Sequence, residues 1–138
     1  MPSIISVKYL GKLQTEIVHM KSGTRIVTDA PKENHGESTS FSPTDLIAGA
    51  YLSCLFTIIG IEMKRGRLPS YLRMTGKVKK IMKELPRKIE HMKVMIEIIG
   101  GKKLTDAQQM HLESLIWSAP VSLSILPDID IKIEIEYT

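Results

Sequence analysis

Hydrophobic and polar residues alternate along most of the first thirty positions, and this pattern predicts β-strands. The alternating runs extend from Ile4 to Leu10, from Leu13 to Met20 and from Thr24 to Thr28. Turn-forming residues separate these runs at positions 11–12 and 22–23. We therefore predict three strands in an antiparallel meander, which is followed by a polar loop from Asp29 to Phe41.

The stretch Ser42-Pro43-Thr44-Asp45 is typical of the start of a helix. Ser42 can cap the helix, and Pro43 suits the first helical position because its missing N–H would be unpaired there. Asp45 is placed to reach back to Ser42 in the manner of a capping box. The helix should continue to about Arg65, and the small residues in its middle would let another backbone approach closely.

Two long strands are predicted after this helix, from Arg73 to Lys83 and from Arg87 to Ile99. In the first strand the alternation breaks between Val78 and Ile81, which indicates a β-bulge near Lys79-Lys80. The apolar residues that share one face of the second strand are Met92, Val94, Ile96 and Ile98. The two strands are therefore predicted to form a hairpin with one buried face.

A capping-box pattern at residues 105–108 predicts a second helix that ends near Trp117. Pro120 then forces a break or a new short turn of helix. The last predicted strand extends from Asp128 to Tyr137, with isoleucines on one face and charged residues on the other. The element order is therefore β-β-β-α-β-β-α-β, which is an α+β arrangement with mostly antiparallel sheet.

The composition is that of a soluble globular protein, and we expect residues 1–138 to form a single domain. Hydrophobic residues make up 43% of the chain and charged residues 25%. The run from Leu46 to Met63 approaches the length of a membrane span, but Ser53, Thr57 and Glu62 interrupt it. We interpret this run as a buried helix and expect no membrane partner.

The positive charge is concentrated in one region of the chain. Between Lys64 and Lys93 lie eleven basic and two acidic residues, a local net charge of +9 in a chain whose total is +4. Such a region can bind nucleic acid or an anionic surface. The simpler interpretation is a solvated hairpin, because no aromatic residues interleave the charges to stack on bases. We therefore do not predict nucleic acid as a partner, although that alternative stays open.

Cys54 is the one cysteine in the chain, and it lies in the middle of the first predicted helix. A lone cysteine cannot form an intramolecular disulfide, which favours a reducing compartment, most simply the cytoplasm. The first four residues have no basic region followed by an apolar core, so we expect no secretory leader. The thiol is either an ordinary small residue of the core or a reactive centre.

Residues 41–54, Phe41-Ser42-Pro43-Thr44-Asp45-Leu46-Ile47-Ala48-Gly49-Ala50-Tyr51-Leu52-Ser53-Cys54, resemble the signature around the first cysteine of the OsmC/Ohr family. These are the osmotically inducible and organic hydroperoxide resistance proteins. The predicted order of elements is similar to that of the family, and residues 118–124 resemble its second-cysteine motif. The resemblance therefore extends over essentially the whole chain.

This resemblance implies a thiol-dependent reductase of organic hydroperoxides, built as an intertwined homodimer with antiparallel sheets around two central helices. Cys54 matches the cysteine that attacks the peroxide, and Arg25 matches the arginine that holds it as a thiolate. Two positions depart from the pattern. Ala119 stands where the family has its second cysteine, and Thr44 stands where well-studied members have a glutamate.

Without a second cysteine, the sulfenic acid that forms on Cys54 needs another route back to the thiol. An external thiol or dithiol could reduce it, two Cys54 residues could pair across a dimer, or the protein no longer runs this cycle. The alternative function is a catalytically degenerate protein that binds an apolar small molecule. We predict no cofactor and no metal, because the four histidines share no metal-ligand spacing.

Overall fold

Six strands and three helices follow one another along residues 2–138, the part of the chain that the computed structural model describes; Met1 lies outside it. The strands are β1 Ile5–Gly11, β2 Gln14–His19, β3 Arg25–Asp29, β4 Arg73–Glu84, β5 Arg87–Ile99 and β6 Asp130–Tyr137. The helices are α1 Pro43–Lys64, α2 Asp106–Ser118 and α3 Pro120–Ile125, with single 3₁₀ turns at Lys32–Asn34 and Gly101–Lys103. The predicted order is confirmed, and α3 is the short helix that Pro120 begins.

The chain divides into two compact units, one ending at Ile47 and the other extending from Ala48 to Thr138. The first unit contains the antiparallel sheet β1-β2-β3, as the alternation predicts. Ile5, Val7 and Tyr9 share one face of β1, and they are 53%, 63% and 64% exposed. Within residues 2–138, no other part of the chain therefore covers this row of large apolar side chains.

A buried aspartate fixes the polar loop that follows β3. The Asp29 carboxylate accepts hydrogen bonds from the backbone N–H and the hydroxyl of Thr39, at 3.0 and 2.6 Å. Its backbone N–H donates to the carbonyl oxygen of Phe41 at 3.0 Å. The hydroxyl and the N–H of Thr39 hold the pKa of Asp29 below its usual value, although burial opposes this. The end of the loop is thereby held against β3.

The second unit contains the sheet β4-β5-β6, in which β4 and β5 form the predicted antiparallel hairpin. The four predicted core residues of β5 are all buried: Met92, Val94, Ile96 and Ile98. Strand β6 pairs with β5 in parallel, with Ile131 opposite Met92 and Ile133 opposite Val94. A parallel pair requires a crossover connection, and α2 and α3 lie in that connection.

The β-bulge lies two residues beyond its predicted position, between Ile81 and Met82. Ile81 pairs with His91 and Met82 with Ile89, so Glu90 is the extra residue on β5. The prediction was wrong because Lys80, which pairs with Met92, takes a core-facing position despite its charge. The alternation of β4 therefore continues through a lysine where the sequence suggested a break.

Helix α1 packs closely against the sheet of the second unit. Tyr51, Leu52, Leu55 and Ile59 are buried on its inner face. Gly76 on β4 permits the approach, because a Cβ there would lie 2.6 Å from the Met95 carbonyl oxygen and 3.1 Å from the Leu52 side chain. A side chain at this position would clash with the backbone of β5 and crowd the side chains of α1.

By length and composition alone, α1 could also cross a membrane. The core helix of a soluble protein passes the same test. Glu62 is buried in its last turns and forms ion pairs, and the helix contributes four large side chains to a packed core. The inner face of α1 therefore belongs to the core of the second unit.

Candidate functional site

Helix α1, which carries Cys54, begins with the predicted capping box. The backbone N–H of Ser42 donates to the Asp45 carboxylate at 2.9 Å, and the Asp45 N–H donates to the Ser42 hydroxyl at 3.1 Å. These bonds satisfy N–H groups that a helix start otherwise leaves without partners. Pro43 occupies the first helical position as predicted. The cap therefore fixes where the helix starts.

Cys54 lies about three turns into α1, where its side chain is partly buried against the core of the second unit. The thiol is free. The partial positive charge at the start of a helix acts mainly within the first turn. Cys54 lies too deep in α1 for that charge to stabilise a negative charge there by much.

Tyr51 lies one turn before Cys54 on α1, and its side chain is fully buried. Its hydroxyl finds no hydrogen-bond partner among the described residues. Ser122 is also fully buried, and its hydroxyl donates to the carbonyl oxygen of Ile116 at 2.7 Å. Residues three apart on a helix share a face, so Tyr51 and Cys54 lie on the same side of α1.

Ala119, the residue predicted to stand in place of the family's second cysteine, lies between α2 and α3. It is 1% exposed, and it serves as both the C-cap of α2 and the N-cap of α3. Pro120 then occupies the first turn of α3. Position 119 is therefore a buried, well-defined point of the fold that carries only a methyl group.

Arg25 lies at the start of β3 in the first unit. Its guanidinium donates to the Glu16 carboxylate on β2 at 2.6 Å, and its side chain is 63% exposed. Exposed ion pairs of this kind stabilise a protein by at most about 1 kcal/mol. The guanidinium therefore has a local partner that it can exchange at little cost, and its predicted role beside the thiolate stays a prediction.

A buried acid that the sequence analysis did not single out joins α1 to α2. Glu62 is 5% exposed, and it accepts a hydrogen bond from His111 at 2.8 Å. Arg67 and Arg65 lie 3.3 and 3.6 Å from the same carboxylate. The hydrogen bond from His111, followed by the charge of Arg67, lowers the pKa of Glu62 against the opposing effect of burial. The one signal in the sequence was an acid within an apolar helix.

Three lysines of the basic region and of β6 lie side by side on the sheet surface. Lys79 pairs with Lys93, and Lys93 pairs with Lys132, so that they form one row across β4, β5 and β6. They line a surface cavity of about 490 Å³ together with Glu134. No aromatic side chain lines this cavity. The row is therefore an exposed, positively charged surface, and its interpretation as a solvated face stays a prediction.

The histidines form separate local contacts. His19 bonds Ser22 at 2.6 Å, His91 bonds Asp130 at 3.0 Å, and His111 bonds Glu62. Within residues 2–138, no three histidine, cysteine, aspartate or glutamate side chains are grouped so as to hold a metal ion.

Comparison with solved structures places this fold among known proteins. The chain is similar to a protein from Psychrobacter arcticus that is described as an osmotic stress induced and detoxification response protein, with 34% identity and a TM-score of 0.86. That match covers 99% of this chain and 97% of the other.

Two further solved structures share the fold at lower identity. The organic hydroperoxide resistance protein OsmC of Legionella pneumophila matches with 18% identity and a TM-score of 0.72, over 99% of this chain and 97% of that one. OhrB of Bacillus subtilis, an organic hydroperoxide resistance protein, matches with 16% identity and a TM-score of 0.68, over 99% and 98%. No protein-family model matches the chain, and no curated protein sequence matches it. From the identity to the Psychrobacter protein across nearly the whole of both chains, together with this fold, it follows that the chain belongs to the OsmC/Ohr family.

Proposed function

We propose that this protein protects cells by reducing organic hydroperoxides, with the thiol of Cys54 as the reacting group. The observation that carries the proposal is the free, partly exposed cysteine on α1 in a chain that belongs to the OsmC/Ohr family. The position of that cysteine after the helix start at Pro43 matches the family's first-cysteine motif. A thiol buried completely would be out of reach of a peroxide, and Cys54 is not.

The reaction needs no cofactor. The Cys54 thiolate attacks the terminal oxygen of the hydroperoxide, so that an S–O bond forms and the O–O bond breaks. The remaining alkoxide takes a proton and leaves as the alcohol, and the sulfur becomes a sulfenic acid. An external dithiol then supplies two electrons and two protons, which restores the Cys54 thiol, releases water and leaves the dithiol as a disulfide.

Arg25 is the proposed partner of the thiolate and of the peroxide oxygen. A guanidinium stays charged at all relevant pH values and donates several hydrogen bonds in one plane. Its exposed pair with Glu16 costs little to give up, so Arg25 can turn towards an anion. The variant Arg25→Lys should keep the charge but lose the planar donor geometry, and its rate with hydroperoxide should fall between those of the wild type and Arg25→Ala.

The proposed working form is a homodimer of single-domain chains in the cytoplasm. Ile5, Val7 and Tyr9 form an exposed apolar row on β1, which supports a dimer in which a second copy of the chain covers this row. Leaving such a row in water is otherwise unfavourable. Sedimentation of the wild type and of Val7→Lys tests this: the wild type should be dimeric and the variant should shift towards monomer. The control Lys8→Glu changes charge on the opposite face of the strand and should stay dimeric.

Consumption of tert-butyl hydroperoxide in the presence of dithiothreitol tests the proposed activity. The wild type should consume the peroxide catalytically, and Cys54→Ser should not. Intact mass after one addition of peroxide, without reductant, should show one oxygen added at Cys54. A wild-type protein that neither turns over nor gains that oxygen contradicts the proposal.

A second function has one observation in its favour, namely the buried methyl group of Ala119 where the family has a thiol. On this proposal the chain binds an apolar small molecule and performs no redox chemistry. Cys54 would then react slowly with iodoacetamide at pH 6, since only the thiolate is alkylated. Rapid alkylation at that pH argues against this second function and for the first.

A further inference from the structure

The outer face of the second sheet carries three lysines in one row, and the function proposed above does not use them. Lys93 lies on the central strand β5 between the buried Met92 and Val94, so its side chain points away from the core. Lys79 on β4 and Lys132 on β6 are its cross-strand partners. All three lysines are exposed, and they line one surface cavity of about 490 Å³. The cavity therefore has a positively charged wall that a solute can reach.

The three ammonium groups have no acidic partner within residues 2–138. None of them forms an ion pair or a hydrogen bond, although Glu134 lines the same cavity. By contrast, Arg87 on the same hairpin pairs with Glu84. Adjacent strands lie about 4.8 Å apart, so the row of lysines spans roughly 10 Å. Like charges directly opposite one another destabilise a sheet, and an anion bound between them would remove this repulsion.

Acidic residues lie on both sides of this row and limit the size of the anion. In one direction along the strands, Glu97 lies opposite Glu136, two cross-strand rows away. In the other direction, Asp130 lies opposite His91 in the next row and bonds it at 3.0 Å. A duplex or a membrane surface that covered the lysines would also meet these carboxylates, whose charge repels it. The surrounding charges therefore favour a compact anion over an extended one.

A short chain of phosphate groups has the charge and the size that this row requires. Each linked phosphate adds negative charge and acceptor oxygens over a short distance, so one chain can contact all the lysines of the row. The cavity volume lies within about 300–1,000 Å³, the usual range for small-ligand sites. No aromatic side chain lines the cavity, so a base would have no ring to stack on. The phosphate chain is therefore the part of a ligand that this site would recognise.

We propose that Lys79, Lys93 and Lys132 form a binding site for a compact oligophosphate, either free or as the phosphate chain of a nucleotide. Lys93 is the central residue of the site, because it has a lysine on each side. Helix α1 packs on the other face of this sheet, where the Leu52 side chain lies close to Gly76. The site is therefore separate from Cys54 and does not depend on its reactivity.

Titration calorimetry with tripolyphosphate, at low salt and without magnesium, tests the proposal. The wild type should bind the anion, and the affinity should fall as salt is added. Lys93→Gln should weaken binding by about two- to fivefold, which is what one exposed ion pair contributes. Replacing all the lysines of the row by glutamine should abolish binding. Glu134→Gln should strengthen binding, because it removes the negative charge from the cavity.

Melting temperatures provide an independent measurement. Without ligand, Lys93→Gln should melt at or above the temperature of the wild type, since the central charge of a repulsive row has been removed. Tripolyphosphate should raise the melting temperature of the wild type more than that of this variant, because only binding to the folded state stabilises it. A Lys93→Gln protein that gains as much from tripolyphosphate as the wild type overturns the proposal.

Lys88→Gln is the matched control. Lys88 is an exposed lysine of the same strand, and it does not line the cavity. It lies roughly 15 Å from Lys93 along β5, which exceeds the distance of about 10 Å over which charges act at moderate salt. Its affinity for tripolyphosphate should match that of the wild type. Equal losses in Lys88→Gln and Lys93→Gln would indicate general attraction to a basic chain and overturn the site.

Parallel titrations with ATP, inorganic phosphate and a short DNA duplex identify the ligand class. Equal affinities for ATP and tripolyphosphate support a free phosphate chain as the ligand, and a higher affinity for ATP supports a nucleotide. Inorganic phosphate should bind more weakly than either, because it contacts fewer lysines. The proposal fails if the wild type does not bind tripolyphosphate, if inorganic phosphate binds as tightly, or if the duplex binds more tightly per phosphate. It also fails if Glu134→Gln leaves the affinity unchanged, since the anion would then lie outside the cavity.

Discussion

His111 on α2 donates a hydrogen bond of 2.8 Å to Glu62 on α1, and this contact joins the helix that carries Cys54 to the helix that ends at Ala119. The carboxylate is an acceptor only, so the Nε2 atom of the histidine carries the proton. A buried acid needs such partners, because removing a charge from water is costly unless it is paired. The bond therefore fixes the spacing of the two elements that frame the candidate site.

The first prediction concerns acid stability. The pKa of Glu62 lies below its ordinary value of 4.5, so its ionised form is favoured in the folded state. Its contribution to stability is therefore fully present above pH 4.5 and is lost as the pH falls through the lowered folded pKa. Urea unfolding between pH 7 and pH 3 should show that the stability difference between the wild type and Glu62→Gln shrinks in acid.

Glu84→Gln is the control for that measurement, because Glu84 is exposed and pairs with Arg87 only at the surface. In acid, the free energy of unfolding of this variant should fall by as much as that of the wild type. A constant difference between the wild type and Glu62→Gln across the pH range would contradict the assigned role of Glu62.

The second prediction compares two glycines of the second unit. Gly60→Ala in α1 meets no atom within 4 Å, and alanine is preferred over glycine in a helix by about 1 kcal/mol. Gly76→Ala would place a Cβ 2.6 Å from the Met95 carbonyl oxygen, and it should destabilise the protein by about 1–3 kcal/mol. Urea unfolding should move the midpoint upwards for the first variant and downwards for the second. Equal midpoints would show that the neighbours of Gly76 do not enclose it this tightly.

The third prediction concerns the start of α2. The Thr105 hydroxyl accepts from the Gln108 N–H at 3.1 Å, and the Gln108 side chain accepts from the Thr105 N–H at 2.9 Å. Thr105→Ala should lower the free energy of unfolding by about 1 kcal/mol. Thr105→Ser keeps the accepting oxygen and should stay close to the wild type in the same chemical denaturation experiment. A serine variant as unstable as the alanine one would exclude the cap as the cause.

The fourth prediction uses position 119. Ala119→Cys puts a thiol at the buried junction of α2 and α3, where the sequence resemblance predicts the family's second cysteine. One equivalent of hydroperoxide should then convert both thiols into an intramolecular disulfide, which requires Cα atoms about 4.4–6.8 Å apart. Mass spectrometry and thiol counting detect the product.

Ser118→Cys, next to it on the exposed face of α2, should keep its thiol free after the same treatment. If the thiols of Ala119→Cys also stay free, position 119 does not correspond to that of the second cysteine.

Periodicity predicted most elements well because one face of each strand is buried and the other is wet. Strand β5 is the clearest case, with alternate residues buried from Met92 to Ile98. The same rule failed at Lys80, because the aliphatic part of a lysine can pack inwards while its charge reaches water. Alternation also could not predict the parallel pairing of β6, because it shows which face of a strand is buried and not in which direction the strand pairs.

The candidate site was predictable only in part. The motif around Pro43 predicted Cys54 as the reacting residue, which stays a prediction. The capping pattern identified Ser42 and Asp45 correctly. Tyr51 and Glu62 stand in an apolar helix and belong to no spacing rule, since what distinguishes them is the partner that each has or lacks in three dimensions. Only the fold reveals an unpaired hydroxyl or a histidine 49 residues away that bonds an acid.

The parallel pairing of β6 with β5 also orders the events of folding. The β4–β5 hairpin joins residues that are close in the chain, and hairpins form within about 10 μs. His91 and Asp130 are 39 residues apart, so β6 can reach its place only after the segment containing α2 and α3 has brought the chain back. Until then β5 exposes an unpaired edge. We expect this edge to be the point at which the newly made chain is most prone to aggregate.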